Sequence, residues 1–241
     1  MSQGEETGRR GSAPGADPTL VQARDGETLA EAAYQALRTD IISGARPATE
    51  RLRIEHLSKL YNVGPTPLRE ALQRLCADGL VLASGNRGFS VAPLDPDEFI
   101  DLNIARIAVE KEALRLSIVN GDNEWEAGVV AAGWRLGKED QALVQGGTDS
   151  LDNWEKANDA FHGAMVAACG SNWLLRVRKN LHDQCERYRR ASVVLRDDGR
   201  DLNSEHNAIM NAVLARDAVA ACQLTEAHFV LTARVLSDEL T

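Results

Sequence analysis

The apolar positions of this chain follow two regimes. Between residues 28 and 93, short helical stripes alternate with turn residues and with two three-residue β runs. Beyond Pro93 and Pro96 the spacing is helical almost to the end, with no strand-like alternation of any length. In the first regime, Leu29, Ala33, Ala36, Leu37, Ile41 and Ile42 share one face of a helix over 28–43, which Gly44 stops. Ile54, Leu57 and Leu60 make a second helical face, and Tyr61-Asn62-Val63-Gly64 makes a turn in which Asn62 or Gly64 suits positive φ. A third helix is expected with Thr66 as N-cap, Pro67 at its first position, Glu70 in its first turn and Leu68, Leu72 and Leu75 as its buried stripe. Asp78-Gly79 ends it, and Val81-Leu82-Ala83 and Phe89-Ser90-Val91 read as short strands joined by Gly85-Asn86-Arg87-Gly88.

Helix, turn, helix and tipped hairpin, in that order, are the parts of a winged helix-turn-helix, whose second helix enters a DNA major groove. Arg69, Gln73 and Arg74 fall off the buried stripe of that helix, where long polar side chains can reach a groove. The second regime predicts helices near 95–120, 123–145, 151–169, 172–196, 201–216 and 217–239. Their breaks fall at Asn120-Gly121, Gly146-Gly147, Cys169-Gly170 and Asp197-Asp198-Gly199. The expected fold is therefore mainly α: a winged helix-turn-helix over 26–93, then an antiparallel bundle of about six helices over 94–241.

With 241 residues, each part is large enough to bury its own core. Residues 1–25 are rich in Gly, Pro, Ala and charge and lack an apolar segment, so a disordered leader is expected and not a signal peptide. No apolar run approaches the roughly 20 residues of a membrane span. The four cysteines are scattered and form no CxxC pair, which suits a reducing cytoplasm. The net charge of −9 argues against nucleic-acid binding until it is divided: residues 46–91 carry seven basic and four acidic side chains, a balance of +3, leaving −12 elsewhere. Only a docking face needs to be basic.

Thr66-Pro67-Leu68-Arg69-Glu70-Ala71-Leu72, then Leu75, Gly79-Leu80-Val81 and Asn86-Arg87-Gly88, resemble the GntR family of bacterial transcription factors, in which such a segment ends in T-P-V/L-R-E-A-L-x-x-L-x-x-x-G-L. The resemblance implies that Thr66 and Arg69 contact backbone or bases and that Arg87 and Gly88 set the wing on the minor groove. With the neighbouring basic and tip residues, the candidate DNA contacts are Arg53, Thr66, Arg69, Arg74, Asn86, Arg87 and Gly88. Many members have Ser-Arg ahead of the Thr-Pro, whereas Gly64-Pro65 stands here. An arginine able to read guanine is missing at that place, so operator preference does not carry over.

In the helical part, His162, His206 and His228 are expected late in three different helices, with Asn158 one turn before His162 on the same face. Imidazoles on facing helices can enclose a divalent ion, although from spacing alone three unrelated surface or capping histidines fit equally. The FCD subfamily of GntR proteins carries D/N-x-x-F-H, then E-H, then a histidine near the start of the last helix. This chain is similar in Asn158-Asp159-Ala160-Phe161-His162, Glu205-His206 and Glu226-Ala227-His228-Phe229. The resemblance implies a metal set of Asn158, His162, His206 and His228 for zinc, nickel or manganese. Asn158 stands where many members have aspartate, so a neutral amide replaces a carboxylate and weakens ion binding.

Asp101-Leu102-Asn103-Ile104-Ala105-Arg106 resembles the subfamily's first effector-domain helix, in which Arg106 would face the pocket and grip a carboxylate. A surface pair between Arg106 and Glu110 is the plainer alternative. Arg187, Tyr188 and Arg190 are further pocket candidates, with the inward face of their helix undecided. These expectations describe a ligand-responsive transcription factor and not an enzyme: a homodimer on a near-palindromic operator, acting as a repressor released by a small carboxylate. A regulator with a vestigial, metal-free pocket is one alternative. A helical metalloenzyme is another, but neither Glu-x-x-His nor HExxH is present.

Overall fold

Thr28 accepts the backbone N–H of Glu31 at 3.1 Å, a side-chain cap for helix α1 (Leu29–Ile42). The computed structural model describes residues 21, 23–85, 88–145, 150–193 and 200–240. Most of the expected leader, the Asn86-Arg87 tip and the breaks at Gly146-Gly147 and Asp197-Asp198-Gly199 lie outside the described residues. After α1 come β1 (Arg51–Leu52), α2 (Ile54–Tyr61), α3 (Pro65–Ala77), β2 (Val81–Ala83) and β3 (Phe89–Val91). Among the described residues six helices follow: α4 (Pro96–Asn120), α5 (Asn123–Gln145), α6 (Ser150–Val166), α7 (Asn172–Val193), α8 (Leu202–Leu214) and α9 (Ala218–Leu240).

Asn62 terminates α2 in the left-handed conformation, φ 53, which an asparagine side chain tolerates and which turns the chain toward α3. The start of α3 differs from the expectation. Gly64 is the N-cap and Pro65 opens the helix, so Thr66 lies inside the first turn and Glu70 beyond it. Pro65 suits the first helical position because its ring already holds the required φ and its missing N–H would have had no partner there. Strand β1 has no counterpart in the sequence reading, since two residues are too short to show alternation. It pairs antiparallel with β3, Leu52 opposite Phe89, and β3 pairs with β2, Ala83 opposite the same Phe89, giving the order β1-β3-β2.

Leu37, Leu57, Tyr61, Leu68, Leu72, Leu75, Val81 and Val91 close one core around α1, α2, α3 and the sheet. A second core joins Leu114 of α4, Val129 and Leu136 of α5, Phe161 and Met165 of α6, and Ile209 and Val213 of α8. Burying each large side chain of this kind stabilises the fold by about 1.5–3 kcal/mol. A smaller cluster lies at the foot of α4, where Phe99 stacks on Tyr188 of α7 with ring centroids 4.4 Å apart.

Helix α7 also grips the N-terminal part by polar contacts. Asp183 pairs with Arg38 of α1, Gln184 donates to the Asp78 carbonyl, and Arg187 donates to the Ala92 carbonyl at 2.7 Å. The approach at Asp78 relies on Gly79, whose φ of 76 favours glycine and whose Cβ position lies 3.3 Å from the Gln184 amide.

Candidate functional site

Helix α3 buries Leu68, Ala71, Leu72 and Leu75 and exposes Thr66, Arg69 and Gln73 on its outer side. Arg69 makes no hydrogen bond or ion pair among the described residues and is free to reach a partner. Arg53, at the N-cap of α2, is also exposed and leaves the cap position unbonded by its side chain. Of the first three residues of α3 only Thr66 has a backbone N–H, because Pro65 and Pro67 flank it. This helix end therefore offers few donors to a phosphate, and side chains must carry most of the contact.

Arg74 has a different position from Arg69. Its guanidinium pairs with Glu31 at 2.5 Å and lies over the Tyr34 ring, 4.1 Å from the centroid, so it is folded back onto α1. The Tyr34 hydroxyl in turn donates to Asp78 at 2.7 Å. At the base of the wing the Ser84 N–H donates to the Gly88 carbonyl at 2.9 Å, and Gly88 has φ 89. Asn86 and Arg87, the other two tip candidates, lie outside the described residues.

Within the bundle, α6, α8 and α9 bring His162, His206 and His228 together. All three are buried, and their ligand atoms lie within 4.8 Å of one another. Only His162 sits late in its helix: His206 is in the second turn of α8 and His228 is midway along α9. The expectation that all three sit late is corrected, because packing joins helix interiors here and not helix ends.

Two carboxylates orient the cluster. His206 Nδ1 lies 3.0 Å from Asp140 of α5, which also accepts the Trp154 indole N–H at 2.7 Å. His228 Nδ1 lies 2.7 Å from Glu205. A carboxylate only accepts, so each Nδ1 is the donor and each Nε2 is left with its lone pair toward the cluster. His206 Nε2 and both nitrogens of His162 are buried without a partner. Orphaned buried nitrogens of this kind cost about 1–3 kcal/mol each, so they point to a ligand.

The electrostatics keep His162 and His228 neutral. Burial pushes His162 well below its ordinary value, reinforced by the neighbouring imidazoles and by Arg106. Burial likewise lowers His228 to about 3, against the opposing pull of Glu205. Burial raises the Glu205 carboxyl, but hydrogen bonds from Arg200 and His228 outweigh it and hold it at about 2. Neutral imidazole is the form that binds a metal ion. Asn158, buried one turn before His162, lines the same cavity and can add an amide oxygen. The residues present thus fit a divalent ion with nitrogen-rich, borderline coordination.

Arg106 is buried, with its guanidinium 3.8 Å from the Phe229 ring centroid and Nε without a partner. Burial lowers its pKa. Glu110 does not bind it and pairs instead with Arg178 at 2.9 Å, so the surface-pair alternative is excluded. The cavity beside Arg106, Asn158, His162 and His228 measures only about 10 Å³, room for roughly one water centre.

On α7 it is Arg189, bound to Glu155 at 2.8 Å, that lines this cavity, and none of the three candidates around it does. Arg187 turns to Ala92, Tyr188 stacks on Phe99, and Arg190 pairs with Asp152 and Glu186. Sequence reasoning also missed Asp140 and Arg200. Glu205 had a local signal, its place beside His206, but Asp140 has none, since it is sixty-six positions from its partner.

Comparison with known proteins follows the same division of the chain. Residues 29–91 match the model of bacterial regulatory proteins of the gntR family, and residues 101–231 match the FCD domain. An uncharacterized HTH-type transcriptional regulator, BphR of Paraburkholderia xenovorans, is 41% identical over 88% of this chain and 87% of its own length. The HTH-type transcriptional repressor GlaR of Escherichia coli is 35% identical over 86% of this chain and 95% of its own. Among solved structures, E. coli McbR/YncC superposes with a TM-score of 0.75 at 18% identity, covering 89% of this chain and 99% of that one, a likeness of fold.

Proposed function

The chain belongs to the gntR family of bacterial regulatory proteins and is a DNA-binding transcriptional regulator with an FCD domain, and from this premise we propose that it is a cytoplasmic repressor released from its operator by a small carboxylate. Its four cysteines are free, which suits a reducing compartment. It acts as a homodimer on a near-palindromic site, because a single recognition helix reads too few base pairs for useful specificity. Arg53, Thr66, Arg69 and Gly88, with Asn86 and Arg87 of the tip, form the DNA contact, and Arg74 supports it from behind.

The observation that carries the ligand response is the set of buried, unpartnered imidazole nitrogens backed by Asp140 and Glu205. His162, His206, His228 and Asn158 would hold zinc, nickel or manganese, which when bound offers open coordination positions to a carboxylate oxygen. Arg106 pairs with the other end of the carboxylate, leaving the Phe229 face to do so. The cavity is too small for such a ligand in the present state, so its walls must separate. Arg189 forms part of that wall, and it lies on the helix that holds Arg38, Asp78 and Ala92. Opening the cavity therefore shifts α7 and, with it, the orientation of the two DNA-reading modules. The shift in operator affinity equals the difference in ligand affinity between the two states.

Elemental analysis of the purified protein, combined with thermal denaturation in the presence of small acids, tests this reading. The expected result is a stoichiometric divalent ion and a melting temperature raised by a carboxylate. Asn158 favours a second reading, a regulator with a metal-free pocket, and protein that retains no ion after loading would select it.

A further inference from the structure

Two arginines of α7 that do not reach the histidine chamber, Arg187 and Arg190, line a different cavity of about 340 Å³. It lies where the end of α1 and the loop after it meet α7, and it shares no lining residue with the cavity beside His162. Ile41, Ile42, Pro47, Ala48 and Leu94 give it a largely apolar wall. The first four belong to the DNA-reading part, Leu94 to the connection after β3, and the two arginines to the helical part. Whatever sits there touches both parts of the chain.

The three guanidinium groups at this cavity are not equivalent. Arg46 pairs with Glu50 at 2.9 Å, and Arg190 pairs with Asp152 and Glu186. Arg187 is only 6% exposed and has no carboxylate within ion-pair distance among the described residues. It donates to two neutral oxygens, the Ala92 carbonyl at 2.7 Å and the Gln184 side chain at 3.4 Å, and its Nε makes no hydrogen bond among the described residues. Burial pulls its pKa down, against the opposing influence of Tyr188 and Glu98. A buried cation without a counter-charge is costly, and a charge-assisted bond to an anion is roughly twice as strong as a neutral one.

Pockets that take small molecules combine an apolar wall with a few polar groups that fix orientation, and this cleft has both. We propose that it is a second ligand site, for a compact amphipathic anion whose acidic group pairs with Arg187 and whose apolar body lies against Ile42, Pro47, Ala48 and Leu94. The site needs neither a metal ion nor the histidines.

Naphthalene-2-sulfonate is the probe, with neutral naphthalene-2-sulfonamide as its match. Both are titrated by calorimetry into full-length protein kept in chelator, so that no ion draws anions to the histidines. The sulfonate should bind with a dissociation constant of about 1 mM or below, and the sulfonamide at least about tenfold more weakly. Arg187→Gln, which keeps a donor for the Ala92 carbonyl but not the charge, should bring the sulfonate down to the level of the sulfonamide. Ala48→Trp, which fills the cavity from a partly exposed loop, should abolish binding of both. Absence of sulfonate binding, equal binding of the two probes, or sulfonate binding unchanged in either variant overturns the proposal. If Arg187→Gln does not fold, Ala48→Trp and the probe pair decide.

Discussion

Arg38 of α1 and Asp183 of α7 form an ion pair that ties the DNA-reading part of the chain to the helix walling the histidine chamber. Asp183 is nearly buried and is held from its other side by Lys179 at 2.9 Å. Removing its charge should loosen the grip of α7 on α1 without touching either the groove-facing side of α3 or the histidines. Asp183→Asn is expected to bind operator DNA with near-normal affinity but to lose about tenfold, roughly 1–2 kcal/mol, of the carboxylate's effect on that affinity. Fluorescence anisotropy with and without ligand measures this, and full retention of the ligand effect would remove α7 from the mechanism.

Arg69 and Arg74 lie on one helix but have different surroundings. Arg69→Ala should abolish specific retention of operator DNA, leave the melting temperature within a degree or two and leave metal content unchanged. Arg74→Ala gives up the Glu31 pair and the Tyr34 contact. It should cost about 0.5–1.5 kcal/mol of stability, with a smaller loss of DNA affinity. Equal effects of the two variants on DNA would show that Arg74 leaves α1 to reach the groove.

His162 has two unpartnered nitrogens in an apolar wall that includes Phe161 and Phe229. Without an ion these nitrogens are an unmet cost, so His162→Leu should raise the stability of the metal-free protein by about 1–2 kcal/mol. The same variant should lose the stabilisation that zinc gives the natural protein. Urea denaturation with zinc and with chelator separates the two effects. A His162→Leu protein that is less stable than the natural one in chelator would show that the ring contributes by packing.

The metal-free protein should weaken in mild acid. His228 is lowered to about 3 and His162 is also pushed down, both by burial, so below about pH 6.5 the unfolded chain binds protons that the native one refuses. Stability is level above that pH and falls as pH drops, by about 1.4 kcal/mol per pH unit for each histidine. Glu205 acts lower, contributing stability above its ordinary 4.5 that is lost as pH falls through about 2. Between about pH 6.5 and 4.5 these two histidines and His182, which burial also pushes well down, set the slope, and His162→Leu should make it shallower. Denaturation curves in chelator that are flat across this interval would contradict the buried neutral state.

Much of the fold is legible in the chain because its breaks are written in local chemistry. Thr28, Asn62, Pro96, Asn120-Gly121 and Gly170 end or start helices where caps, prolines and left-handed residues require it. Strand β1 and the early start of α3 are not legible, since the first depends on pairing with β3 and the second on which of two prolines opens the helix. At the candidate site, spacing and resemblance single out Asn158, His162, His206, His228 and Arg106, which the structure brings close together. The supporting groups Asp140 and Arg200, and the choice of Arg189 over its neighbours, depend on contacts between helices far apart in sequence.

The most direct test of the account is retention of double-stranded DNA, selected from a random pool by the purified protein, during titration of the zinc-loaded protein with a small carboxylate that raises its melting temperature. Dissociation of the complex at ligand concentrations that also raise the melting temperature is the predicted result, with His162→Leu remaining bound throughout. Retention that is the same with and without ligand, in protein shown to hold zinc and to bind the acid, would contradict it.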